Sequence, residues 1–273
     1  MEDLHGKRAY IIGGSSGIGL AIAEHLARHR GTDIVLFGRS LSKLKKAQQQ
    51  LAPGVASPRQ VNCLSVDVDN EEAVNVCMTE AMRTFGRPDI LVLSAGTTAT
   101  KRFVELSAED FNGVLQTNVQ GTVNCLRALM PEMVKTGGKI MLVSSLAGFM
   151  GIFGYSAYCA SKFALVGLAE SLRWELEETP VDLCVLCPPE VATPLIELEK
   201  ETIPKETRAA KDLLGTLEAE YVAAKAVSGM LKGKFVIIPG FKARLMYLVS
   251  RVLPKNLIYR LTLKMVALTM PKN

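Results

Sequence analysis

The segment Arg8–Gly19 reads RAYIIGGSSGIG and decides the fold of the chain. Its first five residues form a short apolar strand, and a helical pattern of apolar residues begins directly after the glycines, at Leu20. A strand, a glycine turn and a helix in this order cradle phosphate, because glycines permit a tight turn and the positive end of the helix faces the anion. A glycine-rich turn alone is often an ordinary loop, so the prediction depends on the strand and the helix beside it. The predicted contacts with the pyrophosphate of a dinucleotide are Gly13, Ser15, Ser16, Gly17, Ile18 and Gly19.

Apolar strands recur along the chain, with helical patterns in most of the gaps between them. We predict strands at residues 8–12, 33–37, 61–66, 89–94, 139–144, 181–187 and 234–238. Strands that alternate with helices predict an α/β fold, a Rossmann-type doubly wound parallel sheet of about seven strands with helices on both faces. A length of 273 residues suits one such domain, which we assign to residues 1–240. A single long helix is predicted over residues 111–134.

A second constellation consists of Ser145, Tyr158 thirteen residues later, and Lys162 four residues after that. A phenol ionises near pKa ~10, so a tyrosine acts as an acid and base at neutral pH only if its phenolate is stabilised. Four residues along a helix, the Lys162 ammonium is predicted to approach the Tyr158 oxygen and to lower the pKa of the phenol. Ser145 is predicted to emerge where a strand ends and to hold the same substrate oxygen. The alternative is that Tyr158 packs at a helix start while Lys162 is merely solvated.

The glycine turn and the Ser-Tyr-Lys spacing together resemble the short-chain dehydrogenase/reductase family, over roughly residues 5–240. The resemblance implies a catalytic tetrad in which Ser145 polarises a carbonyl and Tyr158 is the general acid and base. Lys162 would also hold the nicotinamide ribose, and Asn118 would anchor a water relay towards the lysine. The family also implies that two helices pair between subunits, so a homodimer or homotetramer is expected.

The same resemblance implies further contacts with the cofactor. These are Asp67, Val68, Ala95, Gly96, Tyr158, Lys162, Pro188, Val191 and Thr193, of which Val191 and Thr193 would lie on the carboxamide side of the nicotinamide. The chain departs from the family where the usual Asn-Asn-Ala-Gly is replaced by LSAG at residues 93–96. Loss of an amide there puts hydrogen bonding between strands in doubt, but not catalysis.

The end of the second predicted strand bears on which nicotinamide cofactor is used. NAD-specific sites usually place a carboxylate there to accept hydrogen bonds from the ribose 2′-hydroxyl, and no acid is present in the segment VLFGRS at residues 35–40. Arg39, with Ser15, Ser40 and Lys43, is instead suited to bind a 2′-phosphate through charge-assisted hydrogen bonds. The alternative is that Arg39 is an ordinary surface arginine. We predict NADP(H).

The loop after the sixth strand bears on the substrate. Most members of the family carry Pro-Gly there, whereas this chain reads CPPEVATP at residues 187–194, followed by a charged run. With the glycine turn and the segment SKFAL at residues 161–165, this loop resembles the 3-ketodihydrosphingosine reductase subfamily, which implies a long-chain lipid ketone as substrate. Steroid, retinoid or fatty-acyl substrates are the alternative within the family. An NADP(H)-binding sensor without turnover, or a membrane scaffold, is the alternative outside it.

The C-terminal segment 241–273 forms a basic amphipathic extension. It contains seven cations and no acid, so removing them from the overall net charge of +5 leaves the rest at −2. The cations are Lys242, Arg244, Arg251, Lys255, Arg260, Lys264 and Lys272, with aliphatic residues between them. This composition predicts peripheral contact with an anionic membrane surface, and the alternative is a helix pair that covers the active site or a dimer contact. Nucleic acid is not expected as a partner, because the basic residues alternate with aliphatic ones.

Several other chemistries are not expected. The three histidines lie within the first thirty residues, far from Ser145, which disfavours a serine hydrolase. Cys184 and Cys187 are predicted to point to opposite faces of a strand as buried free thiols, and no metal site is expected. The uncharged run 140–161 is interpreted as a buried strand and an active-site loop, although its length would span a bilayer. No cleavable signal peptide precedes the first strand, so a cytoplasmic location is predicted, with the cytosolic face of a membrane as an option.

Overall fold

The computed structural model of the protein describes residues 4–52 and 61–269. Seven parallel strands form one sheet in the order β3-β2-β1-β4-β5-β6-β7. They are β1 (Arg8–Ile12), β2 (Asp33–Gly38), β3 (Val61–Ser65), β4 (Ile90–Leu93), β5 (Gly138–Val143), β6 (Val181–Leu186) and β7 (Val236–Ile237). The predicted fold class and the position of every predicted strand are confirmed.

Helices cover both faces of the sheet. They are α1 (Gly17–Arg30), α2 (Leu41–Leu51), α3 (Glu71–Phe85), α4 (Ala108–Leu115), α5 (Gly121–Thr136), α6 (Ser156–Glu175), α7 (Pro194–Glu199), α8 (Lys205–Leu214), α9 (Ala219–Met230), α10 (Phe241–Val252) and α11 (Lys255–Thr269). Buried side chains of α1, α2 and α9 form the core on one face, and those of α3, α5 and α6 form the core on the other.

The central strands are mostly apolar because both of their faces are buried. Ile11 of β1 packs into the first core, whereas Tyr10 and Ile12 pack into the second. Each such residue is essentially inaccessible to solvent, and burial of one aliphatic side chain contributes roughly 1.5–3 kcal/mol. Cys184 and Cys187 follow the same alternation, since they lie in opposite cores as free thiols, which confirms their prediction.

The long helix predicted over residues 111–134 is interrupted. A π-helical turn, Gln116–Gln120, separates α4 from α5 and contains Asn118. Such turns accommodate one extra residue per turn and often occur at functional sites. The apolar spacing continues through the turn, so periodicity alone predicted one helix where the backbone forms two.

The C-terminal helices pack onto the rest of the fold. Ala243 of α10 is buried in the second core, and the Tyr247 ring lies edge-on to Phe149 with centroids 4.7 Å apart. Helix α11 packs against α8, and the role of the extension stays a prediction. Lys272, one of the seven predicted cations, lies outside the described residues. Among the described residues, no helix has the length and apolar character needed to cross a bilayer.

Candidate active site

Nearly all of the predicted site residues follow the carboxyl end of a strand. The glycine turn follows β1, Arg39 follows β2, Asp67 follows β3, Gly96 follows β4 and Ser145 follows β5. Because the strands are parallel, these ends lie at one edge of the sheet. The strand order reverses between β1 and β4, which is where ligands bind in sheets of this kind. The fold therefore brings residues that are up to 180 positions apart in the chain to a single site, from Gly13 to Thr193.

The glycine turn requires the absence of side chains. Gly13 has a φ of +82°, and a Cβ there would lie 2.5 Å from the backbone nitrogen of Ala95. A Cβ on Gly19 would overlap the carbonyl oxygen of Gly13. The amides of Gly13 and Gly14 both donate to the Phe37 carbonyl, at 2.9 and 3.0 Å. This cradle ends at the N-terminus of α1, whose first turn carries no acid.

The end of β2 lies beside the glycine turn. A Cβ on Gly38 would be 3.6 Å from the Ser15 hydroxyl, so Ser15 lies beside the end of β2. Arg39 is exposed, and its guanidinium forms no ion pair within the described part of the chain. Ser40 caps α2 by accepting a hydrogen bond from the Lys43 amide at 3.4 Å. A cationic side chain without a carboxylate partner suits a 2′-phosphate.

Val68 and the LSAG segment line the middle of the edge. The Val68 carbonyl accepts a hydrogen bond from the Asn124 side chain at 2.9 Å, while Asp67 is exposed. The Ser94 amide donates to the Ile12 carbonyl at 2.8 Å. The pairing of β4 with β1 is therefore kept by the backbone, although the usual side-chain amide is absent.

Ser145 is held at the end of β5. Its hydroxyl accepts a hydrogen bond from the Ala147 amide at 3.2 Å and lies 3.5 Å from the Pro188 carbonyl oxygen. It is also hydrogen-bonded with Tyr158. The predicted meeting of Ser145 and Tyr158 is thus present, and Pro188 joins them through its backbone.

The relation between Tyr158 and Lys162 differs from the prediction. The Lys162 ammonium lies over the Tyr158 ring, 5.4 Å from its centre, and donates to the Val143 carbonyl at 3.0 Å. Burial, and then the charge of Glu199, raise the pKa of the Tyr158 phenol, while the hydrogen bond with Ser145 opposes this rise. Burial lowers the pKa of Lys162 to about 8. The expected lowering of the Tyr158 pKa is therefore wrong for this arrangement, in which the Lys162 ammonium lies over the ring and burial and a nearby carboxylate raise that pKa.

Asn118 has a structural task in addition to its predicted role. Its side chain accepts from the Thr97 amide at 2.7 Å, and donates to the Thr97 carbonyl at 3.0 Å and to the Ser161 hydroxyl at 2.9 Å. A Cβ on Gly96 would lie 3.2 Å from Asn118 Oδ1 and 3.7 Å from Lys162 Nζ. Asn118 thus fixes the loop after β4 against α6 beside Lys162, and the water relay stays a prediction.

Comparison with known proteins assigns the family. Residues 7–203, more than half of the chain, match the short chain dehydrogenase family. The chain belongs to the short-chain dehydrogenase family. The predicted class of oxidoreductase and the predicted nicotinamide cofactor are confirmed with it.

Similar curated members of the short-chain dehydrogenase family carry closely related names. The 3-dehydrosphinganine reductase of Danio rerio is 37% identical over 235 residues, which cover 85% of this chain and 70% of that protein. The 3-ketodihydrosphingosine reductase of Mus musculus is 36% identical over 236 residues, with the same shares of 85% and 70%. The protein of the same name from Dictyostelium discoideum is 33% identical over 249 residues, which cover 86% and 75%.

Solved structures of the family have the same fold. A short-chain dehydrogenase/reductase from Burkholderia phymatum in complex with NAD superposes with a TM-score of 0.81 at 27% identity, over 95% of this chain and 97% of that one. An alcohol dehydrogenase from Thermococcus sibiricus complexed with 5-hydroxy-NADP gives a TM-score of 0.73 at 29% identity, over 86% and 96%.

Residues 188–217, between β6 and α9, form a lid over the short-chain dehydrogenase site. The Thr100 and Thr202 hydroxyls are 2.7 Å apart, and the Thr207 hydroxyl donates to the Phe153 carbonyl at 2.5 Å. Arg102 pairs with Glu206 at 3.1 Å. These contacts close the lid against the loops that follow β4 and β5.

Two predicted cofactor contacts in the lid have different surroundings. Thr193 lies against the glycine turn, since a Cβ on Gly17 would be 3.2 Å from its methyl carbon. The Val191 side chain is buried in the first core, and the backbone here pairs with Leu217. The Val191 side chain is therefore not available to a ligand, and its contact with a nicotinamide stays a prediction.

Sequence reasoning missed a buried ionic network inside the lid. It joins Tyr155 to Glu190, Glu199, Arg208 and Lys211. The charged run after Pro194 gives no sign in the sequence that any of its residues is buried, although Glu199 is only 4% exposed. The one signal in the sequence is Tyr155 itself, an aromatic residue three positions before Tyr158.

Proposed function

We propose that the protein reduces a lipid ketone with NADPH, most specifically 3-ketodihydrosphingosine to dihydrosphingosine in sphingolipid biosynthesis. The observation that carries the proposal is the meeting of Ser145, Tyr158 and Lys162 beside a glycine cradle, in a chain up to 37% identical to reductases named for this substrate. The site suits a ketone because its proton donor and its hydrogen-bonding hydroxyl meet beside the cradle.

The preference for NADP(H) is supported by the end of β2. The pyrophosphate would be held by the glycine turn, at Gly13, Ser15, Ser16, Gly17, Ile18 and Gly19. The 2′-phosphate would be bound by Arg39, Ser40 and Lys43, and the adenine would contact Asp67 and Val68. Ala95, Gly96, Pro188, Val191 and Thr193 would line the nicotinamide half. When bound, the reduced nicotinamide supplies a hydride to the carbonyl carbon of the substrate.

The chain's own residues handle the proton. Tyr158 would protonate the substrate oxygen, while Ser145 donates a hydrogen bond to that oxygen. The Tyr158 phenol is protonated at neutral pH, as a free phenol is, and burial favours this form further. Lys162 would hold the nicotinamide ribose, and Asn118 would anchor the route that restores the proton.

A lipid substrate is supported by apolar residues around the lid. Phe103 is 70% exposed, Val104 90% and Leu198 64%, and the Arg102 guanidinium stacks over the half-exposed ring of Phe153. Large exposed apolar side chains beside a site suit contact with an apolar chain. We propose that this rim admits the acyl tail while the ketone reaches Tyr158.

Residues 1–240 would form the reductase domain, and the extension 241–273 would make peripheral contact with the cytosolic face of a membrane. Phe241, Leu245, Leu248 and Val252 of α10 are exposed among cations, and α11 adjoins the lid through α8. An anionic surface would attract these cations and receive the apolar side chains. The protein would thus remain cytoplasmic, and we further propose a homodimer or homotetramer.

The deciding experiment measures NADPH oxidation by the full chain with 3-ketodihydrosphingosine, a steroid ketone and a 3-ketoacyl thioester in parallel. The proposal expects the largest kcat/KM with the first substrate, and NADPH preferred over NADH. Robust activity with another ketone and none with the first would overturn the substrate assignment. NADPH binding without turnover of any ketone would favour the sensor.

A further inference from the structure

Three consecutive residues directly before helix α6 contact the lid. We call this segment, Phe153–Tyr155, the platform. The Thr207 hydroxyl of the lid donates to the Phe153 carbonyl. Gly154 has a φ of +71°, and a Cβ there would lie 2.6 Å from the Pro204 ring. The start of α8 therefore rests closely on the backbone of the platform.

The third platform residue, Tyr155, joins both lid helices through its hydroxyl. This hydroxyl donates to Glu199 Oε2 of α7 at 2.6 Å and accepts from the Lys211 ammonium of α8 at 2.8 Å. Tyr155 is 2% exposed and Glu199 4%, so these hydrogen bonds are shielded from water. The hydroxyl thus holds α7, α8 and the N-terminal flank of α6 together at one point.

A small apolar cluster around Tyr155 adds a second contact between the lid and α6. Ala147, Tyr155 and Cys159 are buried together, and Ile203 of the lid and Tyr158 pack against them. The rings of Tyr155 and Tyr158 pack edge to face, with centroids 5.6 Å apart and an interplanar angle of 76°. The lid is therefore seated beside the turn of α6 that carries the proposed proton donor.

The buried charges of the lid stay paired if the Tyr155 hydroxyl is removed. The Lys211 ammonium lies 2.6 Å from Glu199 and 2.6 Å from Glu190, and Arg208 pairs with Glu190 at 2.6 Å. Two cations thus face two buried carboxylates without help from the tyrosine. Tyr155→Phe removes two hydrogen bonds, keeps the ring, and leaves no buried charge without a partner. The variant therefore isolates what the hydroxyl contributes.

The lid also meets the glycine turn. A Cβ on Gly17 would lie 3.2 Å from the methyl carbon of Thr193, at the start of α7. The base of the lid is fixed by Leu217, whose backbone pairs with that of Val191. In the proposed binding mode, the nicotinamide half of the cofactor lies between the glycine turn and the lid. The lid therefore has to move for the cofactor to enter or leave.

We propose that Tyr155 is a positioning residue for the lid: its hydroxyl holds α7 and α8 on the platform, and the nicotinamide cofactor enters and leaves only when these hydrogen bonds break. The inference goes beyond the proposed function, because it holds whichever ketone is reduced. Lids open locally, and the contacts that hold them set the open population. Since hydrogen bonds to charged groups are among the stronger ones, loss of the hydroxyl should raise the open population about tenfold.

The first test is limited trypsin digestion of the full chain. Lys200 and Lys205 are exposed in the lid, and Lys135 is exposed at the end of α5. When opening is fast relative to cleavage, the cleavage rate reports the open population. We expect Tyr155→Phe to be cut about tenfold faster after the two lid lysines, with an unchanged rate after Lys135. Tyr221→Phe on α9 is the control and should be cut as wild type is.

Mass spectrometry of the fragments measures the rate at each of these lysines. Unchanged cleavage of the lid in Tyr155→Phe would overturn the inference. So would an equal increase after Lys135, because it would report unfolding of the whole domain and not opening of the lid.

The second test is the rate of NADPH binding, followed by stopped-flow fluorescence. If the cofactor enters the open form, Tyr155→Phe should raise the association and dissociation rate constants together by about tenfold. The Kd should stay unchanged, because the same hydrogen bonds are lost from the free and the bound enzyme. A merely structural loss would instead weaken the equilibrium affinity. Unchanged rate constants, or a weaker Kd without faster binding, would overturn the inference.

A pair of glycines provides variants that do not depend on the tyrosine. Gly154→Ala places a Cβ 2.6 Å from the Pro204 ring, whereas a Cβ on Gly151, three residues earlier in the same loop, meets nothing within 4 Å. We expect faster cleavage of the lid and faster NADPH binding in Gly154→Ala, and wild-type rates in Gly151→Ala. Equal rates in the two variants would overturn the inference. If no ketone is reduced at all, the proposed function fails, whereas digestion and NADPH binding still decide this inference.

Discussion

The Lys162 ammonium lies over the face of the Tyr158 ring, 5.4 Å from its centre, and its hydrogen bond goes to the Val143 carbonyl. The lysine is thus held by the end of β5, the strand that also presents Ser145. This arrangement fixes the cation in the site. The pKa of the Tyr158 phenol is raised by burial and by the charge of Glu199. The two members of the spacing therefore serve separate tasks, proton transfer for Tyr158 and ribose binding for Lys162 in the proposed mechanism.

Removal of the Tyr158 hydroxyl is expected to abolish most of the reduction without loss of the fold. General acid catalysis contributes typically 10²–10⁴-fold, so Tyr158→Phe should lower kcat by about that factor. NADPH binding, measured by fluorescence titration, should change much less. Tyr221→Phe on α9, which is 42% exposed, is the control and should retain wild-type kcat. Equal losses in both variants would remove Tyr158 from the proton-donor role.

Burial of Lys162 predicts a specific dependence of stability on pH. Its pKa is about 8 in the fold and about 10.4 in an unfolded chain, so the unfolded state binds more protons between these values. The cost of burying the cation is therefore full below pH 8 and fades as pH rises. The free energy of unfolding of wild type relative to Lys162→Met should increase by about 2 kcal/mol from pH 7 to pH 10. Denaturant titration across this range measures it, and a flat difference contradicts the assigned burial.

Gly13 should not tolerate a methyl group. Its φ of +82° is strained for alanine, and the new Cβ would lie 2.5 Å from the Ala95 nitrogen. We expect Gly13→Ala to cost about 2–5 kcal/mol of stability and to weaken NADPH binding. Gly167→Ala in α6 is the matched control, because a Cβ there meets nothing within 4 Å and helix propensity favours alanine by about 0.5–1 kcal/mol. Thermal unfolding and fluorescence titration distinguish the two.

Arg39 should set the choice between the two nicotinamide cofactors. Loss of a charge-assisted hydrogen bond to a phosphate costs about 1.5–3 kcal/mol, so Arg39→Ala should weaken NADPH binding roughly 10- to 100-fold and leave NADH unchanged. Arg39→Asp should reverse the preference, because a carboxylate repels the 2′-phosphate and accepts from a 2′-hydroxyl. The ratio of kcat/KM for the two cofactors measures this. An unchanged ratio in Arg39→Asp would reassign Arg39 as an ordinary surface residue.

The cations of α10 and α11 should determine membrane contact. Each contributes about 1 kcal/mol near an anionic surface, so Arg251→Gln/Lys255→Gln/Arg260→Gln should reduce binding to anionic vesicles by at least tenfold. Lys45→Gln/Lys46→Gln/Lys135→Gln removes three exposed cations elsewhere and should bind as wild type does. Sedimentation with phosphatidylserine and with neutral vesicles measures both. Equal vesicle binding by the two triple variants would exclude membrane contact through these cations. The extension would then only pack against the lid.

Local patterns were enough for most of the fold and much of the site. The strand at 8–12, the glycine turn and the alternation of strands with helices all reflect interactions between near neighbours, and each was found where it was predicted. The interrupted helix at Gln116–Gln120 escaped prediction because an apolar stripe does not register one inserted residue. The buried network of Glu199 and Lys211 escaped because charged residues in sequence carry no sign of the partners that allow them to be buried.

The sequence by itself determined the sheet, the cradle and the identity of the Ser-Tyr-Lys set, since spacing and strand order place those residues at one edge of a parallel sheet. Only the tertiary structure decided which groups surround the Tyr158 phenol. These groups act on the pKa of a partly buried phenol, and the fold brings Glu199 to the site from 41 residues further along the chain. Electrostatic effects of this kind depend on distance and burial in space, which the spacing of Tyr158 and Lys162 does not record.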